Sequence, residues 1–504
     1  MKNINRVVKS SGMCVCMVVA SFFVSSCEEQ LDLHPISQVE EGRFYQNAQD
    51  INQALIATYN SLHNMQQDEW ALTEIRSDNT SVTPNASVAR HTTVRDLDRF
   101  VVNSLNEYVE NYWRSAYTTI ALANDVLDNI AVVSDPTLRG QYEGEARFMR
   151  ALAYFNLVRL WGGVFIVDHS VTGQEAIKKD YKRSTEAEVY EFLLQDLEQA
   201  TGMLQATAAK GRVTKWAAQA LWAKALLTVK GSDRVSKAET LLREVAAQGN
   251  YNLQSSYASV FDINNEYSNE ILFAVRYTSG NVGLGSPFAN LFGPDNSENY
   301  VVTGDGEEYN YPTEDITNTY VQNGDQTRKA ASMAETWIGK NGKVNNIKYI
   351  TKYLSKFAVE EDAENDWPIL RYSDVLLLLA EAINENNGAP TAEAIGYLNR
   401  VHSRSVQGSE PYTAENAGNY YNFILSLAKE RRLEFAFENQ RWFDLLRLGL
   451  AKSVMNAHFQ TEPYYNNPEQ GFFSTGPIAD WQLVLPIPQF EIDVNPRVTQ
   501  NIGY

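Results

Sequence analysis

The chain has 504 residues, of which 44% are hydrophobic, 21% charged and 11% aromatic, the makeup of a folded globular protein rather than a disordered or fibrous one. Sixty-two acidic against forty-three basic residues give a formal net charge of −19, which repels phosphate backbones and argues against any nucleic-acid partner. The length allows about three domains of roughly 150 residues or one long body of helical repeats.

Lys2, Arg6 and Lys9 form a positive start, and Gly12 to Val24 is an apolar run too short to cross a bilayer. That pattern predicts a signal peptide over residues 1–26. Val24-Ser25-Ser26-Cys27 resembles the lipobox of bacterial lipoproteins, in which the cysteine is acylated and becomes the new N-terminus. The other two cysteines, Cys14 and Cys16, lie in the leader, so no thiol is left for disulfides, zinc or nucleophilic catalysis. The lipid anchor on Cys27 is then the expected contact with the outer membrane, and residues 27–40 are expected to form a lipidated tether. Glu28-Glu29 resembles the acidic export signal of surface-exposed lipoproteins.

From residue 41 onward the period is helical, and a single all-α body of helix pairs is predicted over 41–504. Ile51, Leu55, Tyr59 and Leu62 make one apolar stripe, and Phe148, Ala151, Leu152, Phe155 and Val158 another, which Gly162-Gly163 stops. Thr185 with Glu188 reads as a capping box. Thr214 is expected to cap a helix bearing Trp216, Ala220, Ala223 and Leu227, and Ser236 with Glu239 its partner. The hairpin occupies about the 34 residues of a tetratricopeptide unit. A second copy starts near Ser373, breaks at Asn387-Gly388-Ala389-Pro390 and resumes after Thr391. Strands are expected only at Val164 to Val167, Ile271 to Tyr277 and Leu483 to Ile487.

Two stretches lack this period. Ser77 to Arg99 carries Asp78, Asn79, Asn85, Arg90, His91 and Arg95, and about 278–350 is rich in Gly, Asn, Asp and Thr yet holds Tyr300, Tyr309, Tyr311, Tyr320 and Trp337. Loops this long are functional or disordered, and the aromatics argue against disorder. The six histidines show no metal-ligand spacing, and no P-loop or GxSxG motif occurs. Asp295, Ser297 and Asn299 alternate as in a calcium loop, but the central glycine is missing and Gly306 stands where the bidentate glutamate belongs. No cofactor and no metal are expected. The cluster Glu360, Glu361, Asp362, Glu364 and Asp366 reads as a solvated loop.

Four stretches in order resemble the SusD/RagB family of nutrient-uptake lipoproteins. They are Cys27 to Pro35; Glu145-Ala-Arg-Phe-Met-Arg-Ala-Leu-Ala-Tyr-Phe-Asn-Leu-Val-Arg-Leu-Trp-Gly162; Leu370 to Ala382 with Glu430 to Arg447; and Leu485-Pro-Ile-Pro488 running to Tyr504. Phe165 replaces a proline that the family often carries. Arg431, Arg432, Glu434, Glu438, Arg441, Asp444 and Arg447 alternate in sign at i,i+3 and i,i+4 spacings around Phe435, Phe437, Trp442 and Phe443. That pattern reads as scaffold tied by ion pairs, not as catalysis.

The resemblance implies a SusD-like α superhelix with a loop-rich ligand face on a non-enzymatic, surface-exposed lipoprotein. Such a protein captures an oligosaccharide, or in some members a peptide, and delivers it to a SusC-like TonB-dependent transporter. Sugar rings stack on flat aromatic faces while amides, carboxylates and guanidiniums bond the hydroxyls. Asp78, Asn79, Arg95, Tyr300, Tyr309 and Trp337 are therefore the candidate ligand residues. Asp78 follows the family's early Ser-Asp, and the others are chosen by residue type and location. Trp70 is expected in the core. The competing readings are an all-helical glycoside hydrolase, which needs two facing carboxylates, and a tetratricopeptide-type scaffold binding peptides or proteins in its groove.

Overall fold

A computed structural model describes residues 44–83, 91–171, 182–466 and 476–504. The signal peptide, Cys27, the tether, Asn85 and Arg90 lie outside the described residues.

The fold is helix-dominated, with paired helices and few short strands. Helix α1 (Ala48–Leu72) is capped by Asn47, whose side chain accepts from the Gln49 and Asp50 amides. It packs on α3 (Glu107–Asn129), with the short α2 (Thr92–Asp98) between them in sequence. Helix α4 (Pro136–Trp161) starts with Asp135 as cap and a proline in its first turn, and stops at Gly162 with φ 71°. The predicted stripe of α4 is buried, but so is almost every residue from Gly144 to Trp161. This helix is a central strut rather than an amphipathic surface helix.

The chain then runs through α5 (Glu186–Met203), α6 (Lys215–Val229) and α7 (Ser232–Gln248). The Thr185 and Glu188 capping box and the Thr214 cap form as predicted. Helix α7 begins four residues before the expected Ser236, because Gly231 at φ 106° turns the chain there. Ser236 instead donates to Asn386 across the helix pair, at 3.0 Å. Later come α11 (Tyr372–Asn387) and α12 (Ala392–Ser405), separated by Gly388 in the left-handed region and the Thr391 cap. Successive helices stack α3 on α4, α4 on α5, α5 on α6, α6 on α7, and α7 directly on α11, which in turn packs on α12 and α13 (Tyr420–Phe435). Residues 249–371 are thus an excursion from an otherwise continuous helical stack.

Of the three predicted strands only β2 (Ile271–Val275) forms, antiparallel to β8 (Trp367–Arg371). Val164 to Val167 and Leu483 to Ile487 run without strand partners. The Val167 amide donates to the Tyr154 hydroxyl at 2.7 Å, and the Leu485 amide donates to the Leu160 carbonyl at 2.7 Å. The C-terminal segment lies across α4, with the Trp161 indole donating to the Pro486 carbonyl at 2.8 Å.

The excursion is more regular than its composition suggests. It holds α8 (Phe288–Phe292), β3 (Tyr311–Pro312), which pairs with β1 (Thr80–Ser81) from outside the excursion, α9 (Glu314–Gln322) and α10 (Gln326–Ser332). Two further ladders pair β4 (Met333–Ala334) with β7 (Tyr349–Ile350) and β5 (Trp337–Ile338) with β6 (Val344–Asn345). The helices are capped by Thr313 and Asp325, but at nine and seven residues they are shorter than the window in which a helical period shows. The acidic cluster is not simply solvated. Asp362 is buried and accepts from the Gly280 and Asn281 amides at 2.7 Å each, while Asp366 pairs with Arg276.

The alternating motif at Glu430 to Arg447 spans α13 and α14 (Arg441–Arg447). Apart from Asp444 to Arg447, at 2.8 Å, its charges bond across the fold rather than along one helix. Glu434 receives Arg371 of β8 at 2.9 Å, Arg328 of α10 at 3.1 Å, and Arg404 of α12. Arg371 also reaches Glu270 and Glu438, each at 2.8 Å, and Lys352 joins Glu438 at 2.9 Å. The helical spacing encoded the helix, while the partners come from other segments, Asp78, α9, α10, β8, α11 and α12 among them.

Burial acts to raise the Glu434 pKa, but the Arg404, Arg371 and Arg328 guanidiniums outweigh it and hold the carboxyl well below the usual range. Replacing Arg371 by Met removes one cationic partner from each of three buried carboxylates, Glu270, Glu434 and Glu438, and is expected to cost about 3–5 kcal/mol, read as a lower urea midpoint. A depressed folded pKa stabilises fully above the unfolded value, near 4.3, and the gain disappears as pH falls through the folded value. The wild-type advantage over Arg371→Met should therefore persist at pH 7 and shrink below about pH 4.

Candidate functional site

The excursion builds a cleft of about 460 Å³ from three pieces of chain. One wall is the loop with Asp295, Asn296, Glu298 and Tyr300, the other is the β5–β6 hairpin from Trp337 to Ile347, and Thr83, His91 and Glu308 complete the lining. The loop wall turns through Asn296, Glu298 and Asn299, all at positive φ. It is tied down by Lys356, whose ammonium donates to the Asn299 and Tyr300 carbonyls at 3.0 and 2.9 Å. Glu308 is buried, accepting from the Thr83 hydroxyl and, at 3.3 Å, from the Asp295 amide.

The hairpin wall turns at Asn341-Gly342, with φ 57° and 76°. Asparagine and glycine tolerate this left-handed turn, and the dipeptide is a hairpin signal in the sequence. Register pairs Trp337 with Asn345 and Ile338 with Val344, so Trp337 and Asn345 share the face toward the cleft. Gly339 packs under the indole: a Cβ there would lie 2.8 Å from Cζ3 of Trp337. Tyr300 and Trp337 face each other across the cleft with ring centroids 6.5 Å apart and planes at 33°. Tyr300 is 44% exposed, Trp337 only 8%. The Trp337 indole N–H is buried without an acceptor, a condition that costs about 1–3 kcal/mol until something supplies one.

Of the six residues chosen from the sequence, Tyr300 and Trp337 are brought together in this cleft. Tyr309 sits behind it, packed on Trp70 with centroids 5.2 Å apart and edge-on to His91 at 4.5 Å, and Trp70 is in the core as expected. Arg95 is half-buried on α2 and does not line the cleft. Asp78 and Asn79 do not fit a ligand role, being 1% and 0% exposed. Both Asp78 oxygens accept from Arg441, at 2.7 and 2.8 Å, and Arg432 lies 3.2 Å away. The Asn79 amide donates to Glu74 at 2.9 Å and its carbonyl accepts from Arg432 at 2.8 Å. The early Ser-Asp is thus the socket for the arginines of the α13–α14 junction. Sequence reasoning passed over Asn296, Glu298, Lys340, Lys343 and Asn345, of which the hairpin residues were marked by Asn341-Gly342.

Comparison with known proteins fits this architecture. A family model described as the SusD family matches residues 257–504, and one described as starch-binding, associating with outer membrane, matches residues 30–227. The chain belongs to the SusD/RagB family. SusD-like protein P25 of Formosa agariphila is 25% identical, with 97% of this chain and 99% of that relative covered. A SusD homolog from Bacteroides thetaiotaomicron superposes with a TM-score of 0.77 at 21% identity, covering 93% of this chain and 99% of the other. Surface glycan-binding protein A from Bacteroides thetaiotaomicron, solved in complex with laminarihexaose, superposes with a TM-score of 0.73 at 22% identity, covering 90% and 99%. The shared SusD-like fold sets the helical stack.

Burial acts to raise the Asp78 pKa, yet Arg432 and Arg441 overcome it and hold the carboxyl far below the usual range. Asp78→Ala, which leaves the buried Arg441 without its carboxylate partner while Arg432 keeps Asp315, is expected to lower stability by about 3 kcal/mol or more in urea titration. Tyr300→Ala should leave the midpoint within error.

Proposed function

We propose that this SusD-like chain is a glycan-capturing protein of the outer-membrane surface, anchored by acylated Cys27 after removal of residues 1–26, with 27–40 as tether and 41–504 as one binding domain. It hands its ligand to a SusC-like TonB-dependent transporter. The observation that carries this reading is the Tyr300–Trp337 pair in a cleft otherwise lined by carboxylates, amides and ammoniums. Two rings 6.5 Å apart and inclined offer apolar faces to a sugar, while the polar lining bonds its hydroxyls. The laminarihexaose-bound neighbour lends support to a glycan rather than a peptide. Among the described residues no helix is long and apolar enough to cross a membrane; the anchor proposed, the lipid on Cys27, rests on the lipobox-like Val24-Ser25-Ser26-Cys27.

Three carboxylates, Asp295, Glu298 and Glu308, line the same cleft, and this is the observation that favours hydrolysis as a second reading. Glu308 is held by Thr83 and the Asp295 amide, an arrangement suited to shaping the lining.

Calorimetric titration with glycan hexasaccharides, laminarihexaose first, tests the reading. Tyr300→Ala is expected to weaken binding at least tenfold, about 1.4 kcal/mol, with the melting temperature little changed. Trp337→Ala should weaken it further but also loosen the hairpin, since Trp337 packs with Val301, Val302 and Tyr349 in a small separate core. Wild-type affinity in Tyr300→Ala would remove the platform, and release of reducing ends during the titration would favour the hydrolase.

A further inference from the structure

The two walls of the cleft carry opposite kinds of hydrogen-bonding group. On the hairpin, Lys340 and Lys343 flank the Asn341-Gly342 turn, both exposed, and neither makes an ion pair with any described residue. Elsewhere the lysines of this acidic chain often have carboxylate partners, as Lys215, Lys224, Lys230, Lys329, Lys348, Lys352 and Lys452 do. The two ammoniums are donors only. Across the cleft Glu298 is exposed and offers acceptors only.

An ammonium has no acceptor capacity, so a wall of this kind is best matched by a group that only accepts, and most strongly by one that is charged. The opposite carboxylate can take sugar hydroxyls, which donate. The separation also fixes orientation, because an anionic substituent is repelled from the Glu298 side and drawn to the hairpin. Neither lysine is pinned by an internal carboxylate, so a ligand need not break an ion pair to engage them.

We propose that the glycan taken by this cleft bears an anionic substituent, a carboxylate or a sulfate, received by Lys340 and Lys343 while its ring stacks on the exposed Tyr300 beside Trp337. This inference rests on the glycan-binding reading above and narrows its ligand class.

The whole chain, solubilised in detergent, is presented to an array of hexasaccharides that are neutral (laminarihexaose, mannohexaose, cellohexaose), uronate-containing (oligomannuronate, oligogalacturonate) or sulfated (a heparin-derived hexamer). Binding is expected on the anionic members, and the uronate and sulfated arms distinguish the two sources of charge. The best anionic ligand is then titrated at low and high salt against the wild type, the double variant Lys340→Met/Lys343→Met and the double variant Lys340→Arg/Lys343→Arg. The methionine pair should lose at least tenfold in affinity and most of the salt dependence, and the arginine pair should keep both. Binding confined to neutral hexasaccharides, or an anionic ligand held equally well by the methionine pair, would overturn the proposal while leaving glycan capture standing. Binding to no member of the array would overturn both.

Discussion

The carboxylate of Glu434 is the point at which the pieces of this protein meet. It sits without solvent contact on α13 and receives three guanidiniums, from α10, from β8 and from α12. A buried charge left unmatched costs several kcal/mol, so the three segments have to arrive together. Two of them, carrying Arg328 and Arg371, belong to the excursion that builds the cleft, and Arg404 belongs to the helical stack. The same centre extends through Glu438 to Lys352 and through Glu430 to His402, 2.9 Å in each case. Replacing such a cluster with hydrocarbon could give equal stability, but hydrocarbon contacts do not dictate which segment lies where. Here the charges tie one end of the excursion to the helical body and so set where the cleft begins.

The helices were legible in the sequence because their signals are local. The capping box at Thr185, the caps at Thr214 and Thr391 and the stop at Gly162 each depend on residues within four positions. What was not legible depends on partners hundreds of residues away. Asp78 looks like a loop acid until Arg441 closes on it from 363 positions along the chain. Likewise the run from Glu430 to Arg447 has helical spacing, yet its charges are mostly satisfied by other segments. Val164 to Val167 has strand composition but pairs with no strand among the described residues, and a tyrosine hydroxyl accepts from the Val167 amide instead.

The cleft was half legible for a related reason. Tyr300 and Trp337 were selected as aromatics in a polar stretch, a criterion that also selected Tyr309, which became packing for Trp70. Residue type separates aromatic from polar but not inner from outer face. What separates them here is the hairpin register, set by Asn341-Gly342, because alternation about that turn puts Trp337 and Asn345 on one face and Ile338 and Val344 on the other.

The hairpin and the Tyr300 loop rest on a small apolar cluster of their own, Ala289, Val301, Val302, Trp337, Tyr349 and Ala363, distinct from the main core. Substitutions at the cleft lip therefore act on this minor cluster and leave the helical stack and its buried charges untouched. Gly339 shows the limit of that freedom, since any side chain there meets the indole and moves the ring. Lys340 and Lys343 lie beyond that constraint, on a turn whose backbone is fixed by Asn341 and Gly342 while their own side chains contact little. The fold thus packs Trp337, leaves Tyr300 partly exposed beside it, and sets the two lysines proposed to read charge on an unpacked turn. Charge preference can then change by substitution at the turn without rebuilding the platform beneath it.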